Sequence, residues 1–422
     1  MPPLLLDDAT ILDCTGSDPK PHMSVLIEDA RIARISAAGS IGAPDGTRRI
    51  DSGGRTLMPG LTDAHVHFGM VTRGPLDTPT PVSFVMRVAE NMRIALDEGF
   101  TTVRDAGGLD PAFALAVESG EILGPRTLPA GSFISQTGGH GDQRPRFNDH
   151  SPASIPGLYA FTEIADGVDA VRRAARTQIR RGATQVKLMA SGGVMSPNDP
   201  IESLQYSIDE MAAAVHEARA FGKYVMAHCH TSGAMNNALA AGVRSLEHGS
   251  ILDEATARRA AEQEAFIVPT LVILEILARA SEIPEVSRRK LDEVRGHTGG
   301  SVEVAMAAGV SIGSGSDLLG PRQRRRASEI VEKARHMGEM RAIISATKTN
   351  AELFRLAATI GTVEEGKDAD LILVDGNPLE DIGCLVPAAN IHLVVQQGIV
   401  RKETLGATAV PQQRDALSPS PP

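Results

Sequence analysis

The chain contains no tryptophan, and aromatic residues fill only 3% of its 422 positions. Proteins that hold single-stranded nucleic acid rely on stacking aromatics and a basic face. The basic face is missing too, since the formal net charge is −10. No nucleic-acid partner is expected. The one dense basic cluster, "RQRRR" at Arg322–Arg326, opens an expected helix and reads as solvated. A substrate carboxylate is the alternative partner for this cluster and for Arg144 and Arg146. Long apolar runs are lacking: none approaches the ~18–20 residues of a membrane helix, so no membrane span is expected. Cysteine is scarce. Cys14, Cys229 and Cys384 are odd in number and far apart, which argues against a disulfide framework. The opening "MPPLLLDDATILD" has no basic region ahead of its leucines and does not read as a secretory signal. A reduced, cytoplasmic location is expected.

What is present is ordinary for a globular protein: 42% hydrophobic and 22% charged residues. The texture changes along the chain. Residues 1–58 alternate short apolar runs with Gly, Pro and Asp turns, as in "SVLIEDARIARISAAG", and this predicts antiparallel strands. The segment 356–402 has the same texture in "GKDADLILVDGNP" and "NIHLVVQQGIVRKE". Each end is too small for its own core, so together they predict one small β-sandwich domain. Between them, 59–355 alternates buried strand-like runs ("TTVRDAG", "TLPAGSFI", "QVKLMASGG", "KYVMAHCH", "SLEHGS", "FIVPTLV", "VSIGSGSDL") with amphipathic stretches. Alternation of this kind predicts a parallel sheet with crossover helices. About eight units in this length fit a (β/α)8 barrel, with a doubly wound sheet as the alternative. Residues 403–422 are polar and proline-rich, and disorder is expected there.

"GLTDAHVHFG" places His65 and His67 one residue apart. On a strand, residues i and i+2 share a face, so the two rings project together. Co-facial imidazoles can be a metal-ligand pair, or two satisfied polar residues at a half-buried strand end. The rest of the chain favours the first reading. Lys187 lies in an apolar strand where an ammonium is costly to bury. His228 and His230 end "KYVMAHCH", His248 ends "SLEHG", and Asp317 ends "VSIGSGSD". The strand C-termini of a parallel barrel open on one face, where such enzymes carry their active sites. Residues scattered in sequence would thus converge in space. Cys229 points opposite to His228 and is expected in the core. His22, His150, His216, His297, His336 and His392 are expected on the surface or in structural roles.

With "MPGLTDAHVHFG", "VKLMASGG", "AHCH", "LEHGS" and "GSD" in order across the barrel, the sequence resembles the amidohydrolase superfamily. The flanking segments and "GTVEEGKDADLILVDGNPLEDI" are similar to that family's composite domain, so the resemblance spans residues 3–400. It implies a distorted (β/α)8 barrel of the TIM type, inserted in a small β-sandwich made from both termini. It also implies two divalent metal ions, most often zinc. By analogy His65, His67 and Asp317 hold one ion and His228 and His248 the other, and Lys187, as a CO2-derived carbamate, bridges them. The resemblance further implies that a metal-activated water attacks the amide while Asp317 acts as ligand and proton shuttle.

"TGGHGD" and "QYS" resemble the branch of Xaa-Pro dipeptidases, carboxypeptidases and ochratoxin-hydrolysing amidases. That likeness implies that His140 helps hold the scissile group and that Tyr206 contacts a substrate carboxylate. His230, at strand spacing from His228, is expected to touch substrate. The expected substrate is a small-molecule amide linking a C-terminal amino acid to an acyl group: a dipeptide, an N-acyl amino acid or an ochratoxin A type compound. A urea, carbamate or imidazolone hydrolase is the alternative, as is a non-catalytic scaffold relative. A homo-oligomer is expected.

Overall fold

The computed structural model describes residues 2–72, 77, 79–144, 146–147, 154–155, 159–281 and 283–405. Both ends of the chain share one sheet. Strands Leu4–Ile11, Lys20–Glu28, Arg31–Ala37, Arg48–Asp51 and Thr56–Pro59 join Leu371–Val374, Ile391–Gln396 and Ile399–Glu403. The seam is antiparallel, with Leu371 opposite Pro59 and Val374 opposite Thr56. Leu6, Ile27, Leu57, Leu371 and Leu393 form a core under this sheet that neither end could build alone. Most of the expected tail, 406–422, lies outside the described residues. Its first residue, Glu403, still belongs to the last strand.

Between these ends the chain is mixed α/β, and its longer strands all run parallel. Leu61–Val66, Phe100–Asp105 and Arg126–Leu128 form one sheet. A second sheet runs in the order Thr162–Ile164, Phe133–Ser135, Val186–Met189, Val225–Thr231, Ser245–Ile251, Phe266–Val268, Ser311–Ile312. Val186–Met189 is buried at every position, as parallel strands covered on both faces must be. Helices lie between the strands. Val168–Arg180 buries Val171, Ala174, Ala175, Gln178 and Ile179, one stripe at helical spacing. Ile208–Ala220 begins with a reciprocal cap in which Ser207 and Glu210 satisfy each other's backbone amides. No helix among the described residues is long and apolar enough to cross a membrane.

Backbone contacts join the two parallel sheets. The Ala64 amide donates to Ser314 (2.7 Å) and the Asp317 amide to His65 (2.8 Å), linking the first strand to the segment after the last. Elsewhere the Thr184 amide donates to Pro129 (2.8 Å), and Gln185 Nε2 donates to the carbonyls of Asp105 and Leu128.

Two local expectations change. "TLPAGSFI" is two strands, Arg126–Leu128 and Phe133–Ser135. Pro129 has no amide to donate, and Gly131 takes φ +75° where a Cβ would meet Gln178 Oε1. The basic cluster is solvated at Arg322, Arg324 and Arg325, and Arg326 is the exception. The helix begins at Ser328, and Arg326 is buried, its NH1 3.0 Å from Asp63 Oδ2 and its guanidinium 5.3 Å from the Phe68 ring. Arg144 pairs with Asp142 at 2.6 Å.

Removing one member of a buried ion pair leaves the other charge uncompensated. Arg326→Met should therefore lower unfolding stability by about 3–5 kcal/mol. Denaturant melts of both proteins measure this; a loss under about 1 kcal/mol, the range of exposed pairs, would show that the Asp63 contact does not anchor the fold.

Candidate metal centre and cavity

The strand ends carrying the expected residues meet at a cavity of about 300 Å³. His65, His67, His140, Lys187, His228, His230, His248 and Asp317 all line it. Ring centroids of His65 and His248 lie 5.0 Å apart, those of His228 and His248 4.5 Å, and those of His65 and His67 5.1 Å. Ligand atoms of His65, His248 and Asp317 fall within 4.8 Å of one another, so these three could hold a metal ion. That trio draws on both expected ligand groups, which face each other across the cavity. His67 Nε2 lies 3.3 Å from Asp317 Oδ1.

Small residues let the pieces close up. A Cβ on Gly315 would sit 2.5 Å from that of His65, so only glycine lets the "GSGSD" segment lie against the His65 strand. His248 (φ +73°) and Asp317 (φ +52°) adopt left-handed backbone without being glycine. Such strain persists where surrounding structure over-determines it and gathers at functional sites.

The chemistry of the donors fits a metal. Each ring has one nitrogen held by a protein partner. His65 Nδ1 meets Glu247 Oε2 (2.7 Å), His67 Nδ1 the Gly107 carbonyl (2.8 Å), and His248 Nδ1 the Thr270 hydroxyl (2.7 Å). The Nε2 atoms of these three rings remain for the cavity. His228 is turned the other way: its Nε2 meets the Gly192 carbonyl (3.1 Å), leaving Nδ1. Partners of this kind fix tautomer and ring orientation in metal sites. Burial pulls His228 and His248 far below the usual imidazole range, and neutral imidazole is the form that binds metal. Lys187 is also pushed down, to about 8, by burial, although the carboxylates of Glu247 and Asp317 oppose the shift.

Two further histidines border the cavity. The His140 ring stacks on His228 with centroids 4.2 Å apart, and its Nδ1 meets Ser196 Oγ (2.9 Å). Gly193 makes this possible, since a Cβ there would lie 2.2 Å from the ring. His230 Nδ1 meets Ser250 Oγ (2.9 Å). Burial pulls both His140 and His230 down to about 3, so both rings are neutral.

Tyr206, expected to contact a substrate carboxylate, is not among the residues that line this cavity. It is buried in the core, away from the cavity, and its hydroxyl donates to the Ala165 carbonyl (2.7 Å). Its amide is held by Gln136 Oε1 and its φ is +58°, which turns the side chain toward the helices behind the sheet. Cys229 is buried and its thiol faces the Ala227 and Glu247 carbonyls. His150 lies outside the described residues.

Sequence reasoning missed Glu247 and Arg104. Both are wholly buried, 2.8 Å apart. Burial alone would raise the Glu247 carboxyl, but Arg104 and His65 outweigh it and hold it at about 2. A signal did exist, because acid and base each sit inside an apolar strand, "SLEHGS" and "TTVRDAG".

Parallel strands alternating with helices bring a buried His/Asp cluster that could hold a metal ion to the strand ends. The model of the Amidohydrolase family matches residues 56–400, and the chain belongs to that family. Ochratoxinase from Aspergillus niger is 34% identical over 387 residues, covering 86% of this chain and 80% of the relative. A prolidase solved with N-methylphosphonate-L-proline is 40% identical, with TM-score 0.91 over 95% of this chain and all of that one. A Xaa-Pro dipeptidase solved with methionine in its active site is 29% identical, with TM-score 0.85 and 95% and 100% coverage. The protein is a hydrolase acting on C–N bonds.

Glu247→Gln keeps the shape but removes the charge that faces His65 and leaves Arg104 buried without its counter-ion. Losing such a partner costs metal affinity about 10–100-fold. Competition with a chromogenic chelator reads this directly; unchanged affinity in a folded variant would remove Glu247 from the metal site.

Proposed function

We propose that the protein is a binuclear metal-dependent amidohydrolase that cleaves the amide joining a C-terminal amino acid to an acyl group. The observation that carries this reading is the cavity itself. Its lining combines His65, His67, Lys187, His228, His248 and Asp317 with apolar side chains including Phe133, Phe161, Ile273, Leu274 and Leu277. In this reading His65, His67 and Asp317 hold one ion, His228 and His248 the second, and Lys187 as its carbamate bridges them. Zinc suits the nitrogen and carboxylate donors. When bound, the ions polarise the amide carbonyl and lower the pKa of the attacking water.

The chain's own groups do the rest. Asp317 takes the proton from the water and delivers it to the leaving nitrogen. His140 and His230, neutral through burial, hold the scissile group by hydrogen bonds rather than charge. The apolar lining receives the acyl group or the amino-acid side chain, at ~0.8 kcal/mol per buried methylene. A charged side chain would have to shed its water against the same lining. Aryl and aliphatic substrates are therefore favoured, such as Xaa-Pro dipeptides, N-acyl-phenylalanine and ochratoxin A. The same reading takes residues 59–355 as one distorted (β/α)8 barrel, supported by the hydrogen bonds from Ala64 to Ser314 and from Asp317 to His65. Residues 1–58 and 356–402 would make the β-sandwich.

A carbamate turns a cationic side chain into a bridging carboxylate. Neither alanine nor arginine can supply one. Lys187→Ala and Lys187→Arg should both remain folded, bind less metal and lose nearly all hydrolysis. Metal content by elemental analysis, circular dichroism and amine release from N-acyl-phenylalanine test this together. Full metal loading with full turnover in either variant ends the bridging role.

Asp317→Asn should lower turnover by about 10² or more. On a substrate panel, apolar side chains should be cleaved ahead of lysine, arginine and aspartate, and amidating the C-terminal carboxylate should slow cleavage strongly. Equal rates for acid and amide would instead mark a general amidase.

A further inference from the structure

A second cavity, of about 370 Å³, opens where the chain enters Val225–Thr231, Ser245–Ile251 and Phe266–Val268. His228, His230 and His248 stand toward the other ends of the first two strands, so this cavity is at the opposite end of the sheet. Arg219, Lys223, Arg244 and Arg355 line it, and among the described residues Glu264 is the single carboxylate on its wall. None of the four cations forms an ion pair among the described residues.

The hydrogen bonds of the arginines go to neutral acceptors. Arg219 donates to the Gly242 carbonyl (3.2 Å), Arg244 to Glu352 (3.2 Å) and Arg355 to Gly222 (2.5 Å). These bonds aim the guanidiniums without cancelling their charge. Arg244 and Arg355 share one aromatic ring: their guanidinium carbons lie 5.9 and 5.5 Å from the centroid of buried Tyr224. Arg244 also lies 4.8 Å over Phe266, and its Nε is buried with no partner. Burial first, and then the charge of Arg355, pushes the Arg244 guanidinium below its usual range.

Like charges brought together on a low-dielectric floor repel, and an anion among them adds an attraction to each that offsets this repulsion. Guanidiniums present forked donors that match phosphate oxygens. We propose that this cavity is a binding site for a small phosphate-type anion, distinct from the catalytic cavity. Its floor belongs to the strands that carry His228, His230, Glu247 and His248, so occupancy would brace the metal centre from below.

The test is calorimetric titration of the full, metal-loaded chain with inorganic phosphate and with pyrophosphate, at ionic strength held constant with chloride. Saturable binding is expected, tighter for pyrophosphate. Arg355→Gln and Lys223→Gln, whose side chains lie far from the catalytic cavity, should each weaken it at least ten-fold. Their melting in chloride alone should stay close to that of the wild type. Absence of saturable binding overturns the proposal. So does binding that both variants keep at full strength, because phosphate would then be held in the catalytic cavity.

Discussion

Arg104 and Glu247 form an ion pair with no exposure on either side chain, and the site above is built on it. Taking both charges from water costs several kcal/mol per ion, which only dense hydrogen bonding offsets. That bonding is present. Arg104 Nε donates to the Ala64 carbonyl (2.7 Å), NH1 to Ser245 Oγ (3.1 Å), and NH2 to both Glu247 oxygens (2.8 and 3.0 Å). The second Glu247 oxygen then accepts from His65. One guanidinium thus ties three parallel strands together and points an imidazole. A charge network this buried is intolerant of partial loss, so Glu247 holds the His65 imidazole above it in one orientation.

Asp63 performs the matching task on the neighbouring edge. Its Oδ1 accepts from the amides of His65 (3.0 Å) and Ser316 (2.9 Å), and its Oδ2 from Ser316 Oγ (2.5 Å) and Arg326 (3.0 Å). Asn350 repeats the link one step along, donating to the Thr62 and Ser314 carbonyls and accepting the Ser314 amide. Asp317 therefore reaches the cavity on a segment of irregular backbone with few free groups of its own. Two groups of opposite character, the His65 imidazole and the Asp317 carboxylate, are brought within 3.7 Å by residues that do not line the cavity.

Legibility in the sequence follows from how local each cause is. His65 with His67 and His228 with His230 declare themselves because strand spacing puts each pair on one face, and Lys187 because an apolar strand makes a lysine conspicuous. The alternation of strands and helices was equally plain. What could not be read depends on contacts remote in sequence. Arg326 looks like one more surface arginine until Asp63, 263 positions away, is placed beside it. Tyr206 carries a suggestive motif, yet its direction is set by a left-handed φ and by Gln136. Thr270 and Ser250 orient His248 and His230 through single hydroxyls that no pattern distinguishes from other serines and threonines.

The polar and apolar residues that line the cavity come from different parts of the fold. The histidines, Lys187 and Asp317 come from the parallel strands and the segments that follow them. Among the apolar lining residues, Val194, Ile273, Leu274 and Leu277 belong to a separate small core with Leu291 and Val294 of the helix Glu285–Ala307. Lys290 of that helix donates to the Gly193 and Ser196 carbonyls (2.9 and 2.8 Å), so the same helix also fastens the loop that orients His140. The helix Glu285–Ala307 thus supports apolar lining residues and the His140 loop together, so a substitution in this satellite core reaches both.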